Sequence, residues 1–205
     1  PTSPPVILAN KVIIGTYIAD NVRISPPGGV VRAFDVHTGE LVWAFDPVAP
    51  GTPTTKPAAD GSPLYHRGTP NAWSLFSVDV ERELVFLPFG GPSPDFFGGQ
   101  RDALGYYGSS VVALDGATGQ VRWHFQTVHH DLWDYDLSAQ PLLIDMPVKG
   151  KTVPAVLQAT KTGFLFVLDR DSGKPLFPVE ERPVPQSDVP GETSSPTQPY
   201  PTFPA

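Results

Sequence analysis

The chain of 205 residues contains no cysteine, and this absence excludes disulfide bonds, thiolate zinc sites and cysteine nucleophiles. Basic runs are absent as well, because 14 lysine and arginine residues are dispersed among 21 acidic ones, which gives a net charge of −7. Nucleic-acid binding draws its affinity from clustered positive charge, so no nucleic-acid partner is expected. The sequence also lacks a charged-then-apolar leader and any run near the roughly 20 apolar residues of a membrane span.

The composition indicates a folded core, since 40% of the residues are hydrophobic and only 17% are charged. The first residue is Pro1 rather than Met, and the last ten residues, PTQPYPTFPA, are rich in proline. We therefore expect an internal fragment of a longer protein, with targeting segments outside the chain. Prolines also concentrate between residues 47 and 70, which favours loops there.

An internal repeat predicts the fold class. Residues 33–43, AFDVHTGELVW, and residues 113–123, ALDGATGQVRW, share the pattern A-x-D-x-x-T-G-x-x-x-W, and a weaker copy, FVLDRDSGKPLF, spans 166–177. In each copy an apolar run reaches an aspartate, a glycine follows four residues later, and a second apolar run begins. This pattern predicts a β-hairpin in which aspartate opens the turn and glycine accepts a positive φ.

The spacing of the hairpins indicates how they are arranged. Aspartates end apolar runs at positions 35, 79, 115 and 169, with spacings of 44, 36 and 54 residues. Repeats of about 40 to 50 residues, each a small set of antiparallel strands, are typical of β-propeller blades. A tryptophan at a fixed place in each blade can cover apolar area on its neighbour, so Trp43 and Trp123 are predicted to dock between blades rather than to contact a ligand.

The eleven-residue repeat resembles the tryptophan-docking motif of the eight-bladed quinoprotein alcohol and glucose dehydrogenases. Three further stretches resemble the membrane-bound glucose dehydrogenase branch, which includes quinate and shikimate dehydrogenases: ADNVRISPPGGVVRAFDVHTGELVWAFDP, QTVHHDLWDYDLSAQPLL and ATKTGFLFVLDRDSGK. The resemblance implies an all-β, eight-bladed propeller, with residues 1–205 forming about four blades of a single domain.

The resemblance also implies a function. It is that of an oxidoreductase that uses pyrroloquinoline quinone (PQQ) with Ca²⁺ or Mg²⁺ to oxidise the hydroxyl of a sugar, glucose to gluconolactone, and passes electrons to ubiquinone. The parent protein would be membrane-anchored, with this domain at the periplasmic face of the bacterial inner membrane. Quinate, shikimate or another polyol or alcohol is the alternative substrate. A propeller scaffold without enzymatic activity is the second alternative.

Three residues match the reaction centre of that family. Asp134, in HHDLWDYD, matches the catalytic carboxylate, which needs to lie within reach of the substrate hydroxyl and close to the metal. Lys161, in ATKTG, matches the catalytic cation that contacts the quinone oxygens and can stabilise a developing oxyanion. Trp73, in PNAWS, matches the tryptophan on which the planar cofactor stacks. Taken without the family, the three read as a solvated turn carboxylate, a surface lysine and a core tryptophan.

The metal site is expected to include Asp20, Ser93 and Asp134, with Asn21 as a cofactor contact. Ser93 stands where related enzymes place asparagine or threonine, and oxygen ligands of this kind suit calcium or magnesium.

Basic residues are the candidates for contacts with the substrate. At most one of the adjacent His129 and His130 can face it, because neighbours on a strand point to opposite faces, and a hydrogen-bonded loop histidine is the alternative. A carboxylate substrate would need a nearby arginine, for which Arg23 and Arg101 are the candidates.

Overall fold

The computed structural model describes residues 3–101 and 103–203. These residues form β-strands and three 3-10 helices, at Asp20–Val22, Gly98–Gln100 and Leu104–Tyr107. None of the helices in this part of the chain is long or apolar enough to cross a bilayer. The strands are β1 Val6–Leu8, β2 Lys11–Ile14, β3 Val31–Asp35, β4 Leu41–Phe45, β5 Ser77–Asp79, β6 Leu84–Pro88, β7 Ser110–Asp115, β8 Val121–Gln126, β9 Leu142–Val148, β10 Lys151–Ala159, β11 Leu165–Asp169, β12 Val179–Pro183 and β13 Thr197–Pro201.

The strands form small antiparallel sheets in chain order. The first sheet has the order β1-β2-β3-β4 and the second the order β5-β6-β7-β8. The third contains β11-β10-β9, with one further bridge between Leu168 and Pro175, and β12 pairs with β13 as a separate hairpin. The expectation of an all-β fold built from blade-like sheets is confirmed. The first two sheets are complete four-stranded blades, and the third is one strand short.

The second sheet is buried on both faces, as strand geometry explains. Successive side chains of a strand point to opposite faces, so β6 sends Val85 and Leu87 into the core shared with the first sheet. The same strand sends Leu84 and Phe86 into the core shared with the third sheet. The sequence of β6 is therefore apolar throughout, LVFLP, and every residue in it is buried.

The predicted aspartate-to-glycine turns form in all three copies of the repeat. In the second copy the Asp115 carboxylate accepts hydrogen bonds from the backbone N–H groups of Ala117 and Thr118, at 3.0 and 2.9 Å. The Gly119 N–H then donates to the Asp115 carbonyl at 2.8 Å, with Gly119 at φ +72°. Gly39 and Gly173 have matching φ values of +72° and +69°.

The indoles of the repeat lie between neighbouring sheets. Trp123, on β8, donates its Nε1–H to the Arg170 carbonyl of the third sheet at 3.0 Å. Its ring covers Gly173 so closely that a Cβ there would lie 2.5 Å from the indole carbons. Trp43 makes the same contact one sheet earlier, with its Nε1–H on the Gly116 carbonyl at 3.1 Å and its ring over Gly119. The glycine of each turn thus provides both the positive φ and the space for the previous sheet's indole.

A buried ion pair also joins the second and third sheets. Arg170 NH1 donates to Asp79 Oδ2 at 3.0 Å, and both residues are buried. The NH2 group of Arg170 donates to the Ile144 carbonyl at 2.7 Å and contacts Asp145 at 3.2 Å. Arg170 therefore links strands of two sheets, and its contacts all lie outside the loops described below.

Long and short connections lie at opposite ends of the strands. In an antiparallel sheet, every second connection lies at the same end of the strands. Short turns follow the odd-numbered strands β1, β3, β5, β7 and β9. The connections that follow β2, β4, β6, β8 and β10 span residues 15–30, 46–76, 89–109, 127–141 and 160–164. All of them except the last are long.

Replacing Gly173 with alanine tests the docking contact. A left-handed φ costs alanine about 1–2 kcal/mol, and overpacking against Trp123 adds about 1–3 kcal/mol. Gly150, at φ +78° with open space around its Cβ position, is the matched control that carries only the first cost. We expect Gly173→Ala to lower the melting temperature of the full-length parent protein more than Gly150→Ala does, measured by differential scanning calorimetry. Equal losses would contradict the docking role of Gly173.

Candidate functional site

The loops that follow β2, β4, β6, β8 and β10 bring polar residues from three sheets together. They include every residue predicted for catalysis, metal or cofactor binding, although these residues are far apart in the chain. The aspartates of this group, Asp20, Asp95, Asp134 and Asp136, are called the acid cluster below. The residues concerned are Asp20 and Asn21 after β2, Asn71 and Trp73 after β4, Ser93 and Asp95 after β6, Asp134 and Asp136 after β8, and Lys161 after β10.

Asp134 and Lys161 form an ion pair at the centre of this group. Lys161 Nζ donates to the Asp134 backbone carbonyl at 2.7 Å and approaches its carboxylate Oδ2 at 3.3 Å. The Asp134 side chain is 38% exposed and the Lys161 side chain 32%, so a small molecule can reach both. Asp134 has φ +60°, a left-handed conformation that aspartate tolerates better than most residues. The predicted catalytic pair is therefore in contact and accessible.

Asp20 and Ser93 also lie in direct contact. The buried Ser93 hydroxyl donates to Asp20 Oδ1 at 2.6 Å. The neighbouring Asn21 donates its side-chain N–H to Asp95 Oδ2 at 2.8 Å. Asn21 thus contacts a carboxylate that the sequence did not single out, and two hydrogen bonds join the loop after β2 to the loop after β6.

The acid cluster is dense enough to change the acidity of its members. Burial, then the charges of Asp20, Asp136 and Asp134, raises the pKa of Asp95 to about 7. Burial and the charge of Asp134 also raise the pKa of Asp20, against the lowering effect of its hydrogen bond from Ser93. Four carboxylates thus share one region, in which Lys161 contacts Asp134. Such a group favours a bound cation.

Asp136 fixes the position of Trp73. The indole Nε1–H of Trp73 donates to Asp136 Oδ2 at 2.9 Å, and the Gly91 N–H donates to Oδ1 at 2.6 Å. Burial raises the pKa of Asp136, whereas these two hydrogen bonds lower it. A Cβ on Gly90 would lie 2.7 Å from this carboxylate. Asp136 lies in the loop after β8, where it is buried and orients the predicted stacking residue.

Asn71 is a polar residue that sequence reasoning missed. Its side chain is buried, and its amide makes no hydrogen bond of good geometry with another described residue, although it lies near the Asp20 carboxylate. The amide lies close enough to Asp20 to lower the pKa of that carboxyl. A buried amide without such a bond is costly, which makes it a plain candidate for a ligand contact. No sequence signal marks Asn71, because it lies two residues before Trp73 in an irregular loop.

The oxygen atoms of this group fit Ca²⁺ or Mg²⁺ better than a transition metal. Among the described residues, no three histidine, cysteine, aspartate or glutamate side chains are close enough to hold a metal ion. A site here would therefore combine the Asp20 and Asp134 carboxylates with the Ser93 hydroxyl and the Asn71 amide. Hard divalent cations accept such mixed oxygen ligands.

His129 and His130 lie in a turn after β8 rather than on a strand, and His130 has φ +43°. The ring nitrogens of His129 lie 2.8 Å from Gln126 Oε1 and 3.1 Å from Glu181 Oε1. The His130 ring lies 3.4 Å from Glu192 Oε1. These partners all lie outside the acid cluster, so the structure does not bring either imidazole into contact with Asp134.

The two arginines considered for a substrate carboxylate differ in exposure. Arg23 is exposed at the end of the first 3-10 helix. Arg101 is only 2% exposed, and its terminal nitrogens donate to backbone carbonyls. Arg101 is therefore not available to a substrate.

A cavity lies beside the acid cluster, not within it. Its volume is about 490 Å³, and its lining includes Trp133, Tyr135 and Thr162, which flank Asp134 and Lys161 in the chain. None of the acid cluster residues lines it. Within the cluster, Asp134 is partly exposed whereas Asp136 is buried.

Comparisons with known proteins identify the family of the chain. The family model "PQQ: Glucose/ethanol/alcohol dehydrogenase, beta-propeller domain" matches residues 1–205. The chain is 48% identical to the quinate/shikimate dehydrogenase (quinone) of Acinetobacter baylyi, over 97% of this chain and 24% of that protein. It is 44% identical to the quinoprotein glucose dehydrogenase of Escherichia coli, over 98% of this chain and 25% of that protein. The chain thus spans about a quarter of the length of these curated relatives.

A solved structure gives the same result for the fold. The quinohemoprotein alcohol dehydrogenase of Comamonas testosteroni superposes with a TM-score of 0.68 at 28% identity. The superposition covers 98% of this chain and 31% of that one.

The Asp95→Asn variant tests the electrostatics of the acid cluster. Unfolded aspartate loses its proton near pH 3.9, whereas folded Asp95 holds it to about pH 7. Between these two pH values, the folded state therefore holds a proton on Asp95 that the unfolded state does not. The stability that this proton contributes is lost as the pH rises towards 7. In EDTA we expect Asp95→Asn to raise the melting temperature of the parent protein, and to raise it more at pH 8 than at pH 5.

Asp188→Asn, at an exposed loop position, is the control that removes one negative charge outside the acid cluster. It should change the melting temperature little at either pH. A gain from Asp95→Asn of the same size at both pH values would contradict the raised pKa of Asp95.

Proposed function

The chain belongs to the β-propeller family of PQQ-dependent glucose, ethanol and alcohol dehydrogenases, and we propose that its parent protein oxidises a hydroxyl of a sugar or cyclic polyol. The observation that carries this proposal is the accessible contact between Asp134 and Lys161, set within a cluster of carboxylates. A propeller that served only as a scaffold would have no reason to gather four carboxylates in one region beside the exposed pair of Asp134 and Lys161. The family and the site therefore favour the same kind of activity.

Asp134 is proposed as the base that takes the proton of the substrate hydroxyl. Its carboxylate Oδ2 is held at 3.3 Å by Lys161 Nζ, while its backbone carbonyl is fixed by the same ammonium at 2.7 Å. The exposure of Asp134 leaves room for a hydroxyl within hydrogen-bond reach, as a general base requires. Bound PQQ would supply the acceptor for the hydride that leaves the same carbon.

Lys161 is proposed to contact the cofactor as well as Asp134. An ammonium has three N–H donors, and the described contacts use two of them on one residue. The remaining donor can bind a quinone oxygen and stabilise negative charge that develops there. Lys161 would thus hold the base in place and polarise the cofactor from one position.

Trp73 is proposed as the surface on which the planar cofactor stacks. Its indole is fixed by the hydrogen bond to Asp136, so the ring has a set orientation before any cofactor binds. A flat conjugated ring matches an indole face in shape and polarisability. Asn21 lies beside this region as a further proposed contact, with its amide N–H on Asp95.

Asp20, Ser93, Asn71 and Asp134 are proposed to hold Ca²⁺ or Mg²⁺. A divalent cation would offset the repulsion that raises the pKa values of Asp20 and Asp95, and it would use the buried Asn71 amide.

Glucose is proposed as the first substrate, with quinate or shikimate as the alternative. A carboxylate substrate needs a positive partner, and Arg101 cannot supply it because its guanidinium is buried on backbone carbonyls. The relative named as a quinate/shikimate dehydrogenase keeps the alternative open. Electron transfer to ubiquinone and a membrane-anchored parent at the periplasmic face remain part of the proposal, supported by the resemblance of the chain to that branch.

The test is dye reduction by the full-length parent protein reconstituted with PQQ and Ca²⁺ or Mg²⁺, with glucose, quinate and shikimate compared. In the Asp134→Asn variant we expect kcat to fall by about 10²- to 10⁴-fold, because the amide cannot accept the proton. The variant should still bind PQQ, followed by its absorbance, and Asp188→Asn should retain full activity.

Each outcome separates the alternatives. Turnover of one substrate, lost in Asp134→Asn with PQQ still bound, supports both the activity and the role of Asp134. If the folded parent protein neither binds PQQ nor reduces dye with any substrate, the proposed dehydrogenase activity is wrong and the scaffold alternative takes its place.

A further inference from the structure

Arg101 lies in the loop that carries Ser93 and links it to the loop that carries Asp134. The residue follows the 3-10 helix Gly98–Gln100 and is 2% exposed. Its NH2 group donates to the Asp95 carbonyl at 2.7 Å, in the loop that carries Ser93. Its NH1 group donates to the Asp131 carbonyl, in the loop that carries Asp134. One guanidinium therefore spans the gap between the two loops.

Asp131 continues this link to Asp134. Its Oδ1 accepts the Trp133 N–H at 2.9 Å, and its Oδ2 accepts the Tyr135 N–H at 2.7 Å. The Ser109 hydroxyl, just before β7, donates to the same Oδ2 at 2.8 Å. The residues on either side of Asp134 are thus both held by the Asp131 carboxylate, so a movement of Asp131 would move the proposed base.

The surroundings of Arg101 are acidic as well as polar. Burial lowers the pKa of Arg101, while the charges of Asp131, Glu192 and Asp95 oppose that change. The Arg101 Nε atom is buried and has no hydrogen-bond partner among the described residues. A buried cation with one donor left unpaired is a costly feature, which indicates that its contacts serve a specific purpose.

We propose that Arg101 is a positioning residue that sets the distance between the Ser93 loop and the Asp134 loop, and through that distance the metal affinity of the site. The planar guanidinium holds two carbonyls at a fixed separation, which a lysine ammonium on a flexible stem does not. The metal part of this proposal rests on the proposed function. The part that concerns the two loops does not depend on it.

The experiment uses the metal-free full-length parent protein and two readouts. Calcium binding is titrated by isothermal calorimetry, and hydrogen–deuterium exchange is followed in the peptide that contains Trp133 and Tyr135. In Arg101→Met we expect the dissociation constant for Ca²⁺ to rise by about 10- to 100-fold, the usual effect of losing a group that orients metal ligands. Exchange at the two amides should also become faster. Arg101→Lys should bind Ca²⁺ more tightly than Arg101→Met and more weakly than the wild type.

Arg170→Met is the matched control. Arg170 is also a buried arginine that links chain segments, but it contacts Asp79, Asp145 and backbone carbonyls away from the acid cluster. Its replacement should lower the melting temperature and leave both Ca²⁺ affinity and exchange at Trp133 and Tyr135 unchanged. Measurements are made well below the melting temperature of every variant, so that unfolding does not contribute.

Wild-type affinity and exchange in Arg101→Met would overturn the proposal, and so would equal changes in Arg101→Met and Arg170→Met. A wild-type protein that binds neither Ca²⁺ nor Mg²⁺ would overturn the metal site of the proposed function and the metal part of this proposal. In that case the exchange of Trp133 and Tyr135 alone decides whether Arg101 holds the two loops.

Discussion

Both faces of the second sheet are apolar, and a flat four-stranded sheet cannot bury two apolar faces by itself. The first and third sheets cover these faces, and the indole of each complete sheet covers the glycine turn of the next. Trp43 and Trp123 dock against the short turns of the next sheet, which lie at the strand ends opposite the long loops. The loops at the other end are free to be long without loss of the sheet packing.

Those loops carry an arrangement that is unfavourable by itself. Four carboxylates lie near one another, and burial raises the pKa values of Asp20, Asp95 and Asp136. Such repulsion persists only where the surrounding structure holds the groups in place. The hydrogen bonds that do so run between loops, from Ser93 to Asp20 and from Trp73 to Asp136. The stable sheets thus support a site that is poised to bind positive charge.

The sequence predicts best those features whose causes lie within a few residues. The turn at Asp115 and Gly119 closes through hydrogen bonds that span at most four residues, so the motif alone specifies it. The site depends on contacts such as Asn21 with Asp95, 74 residues apart, and no local pattern records them. Asp134 and Lys161 were found through resemblance to a family. Asn71 and Asp136 were not recognised because their importance comes from burial. The strand premise for His129 and His130 failed because His130 adopts a left-handed turn.

Arg101 and Lys161 show how burial decides what a cation can do. Both donate to a backbone carbonyl of a neighbouring loop, Arg101 to Asp131 and Lys161 to Asp134. Arg101 is only 2% exposed, so water and ligands have little access to its donors. Lys161 is one-third exposed, and water or a ligand can compete for its donors. Arg101 is therefore suited to hold the loops of the acid cluster in place, whereas Lys161 remains accessible to a ligand.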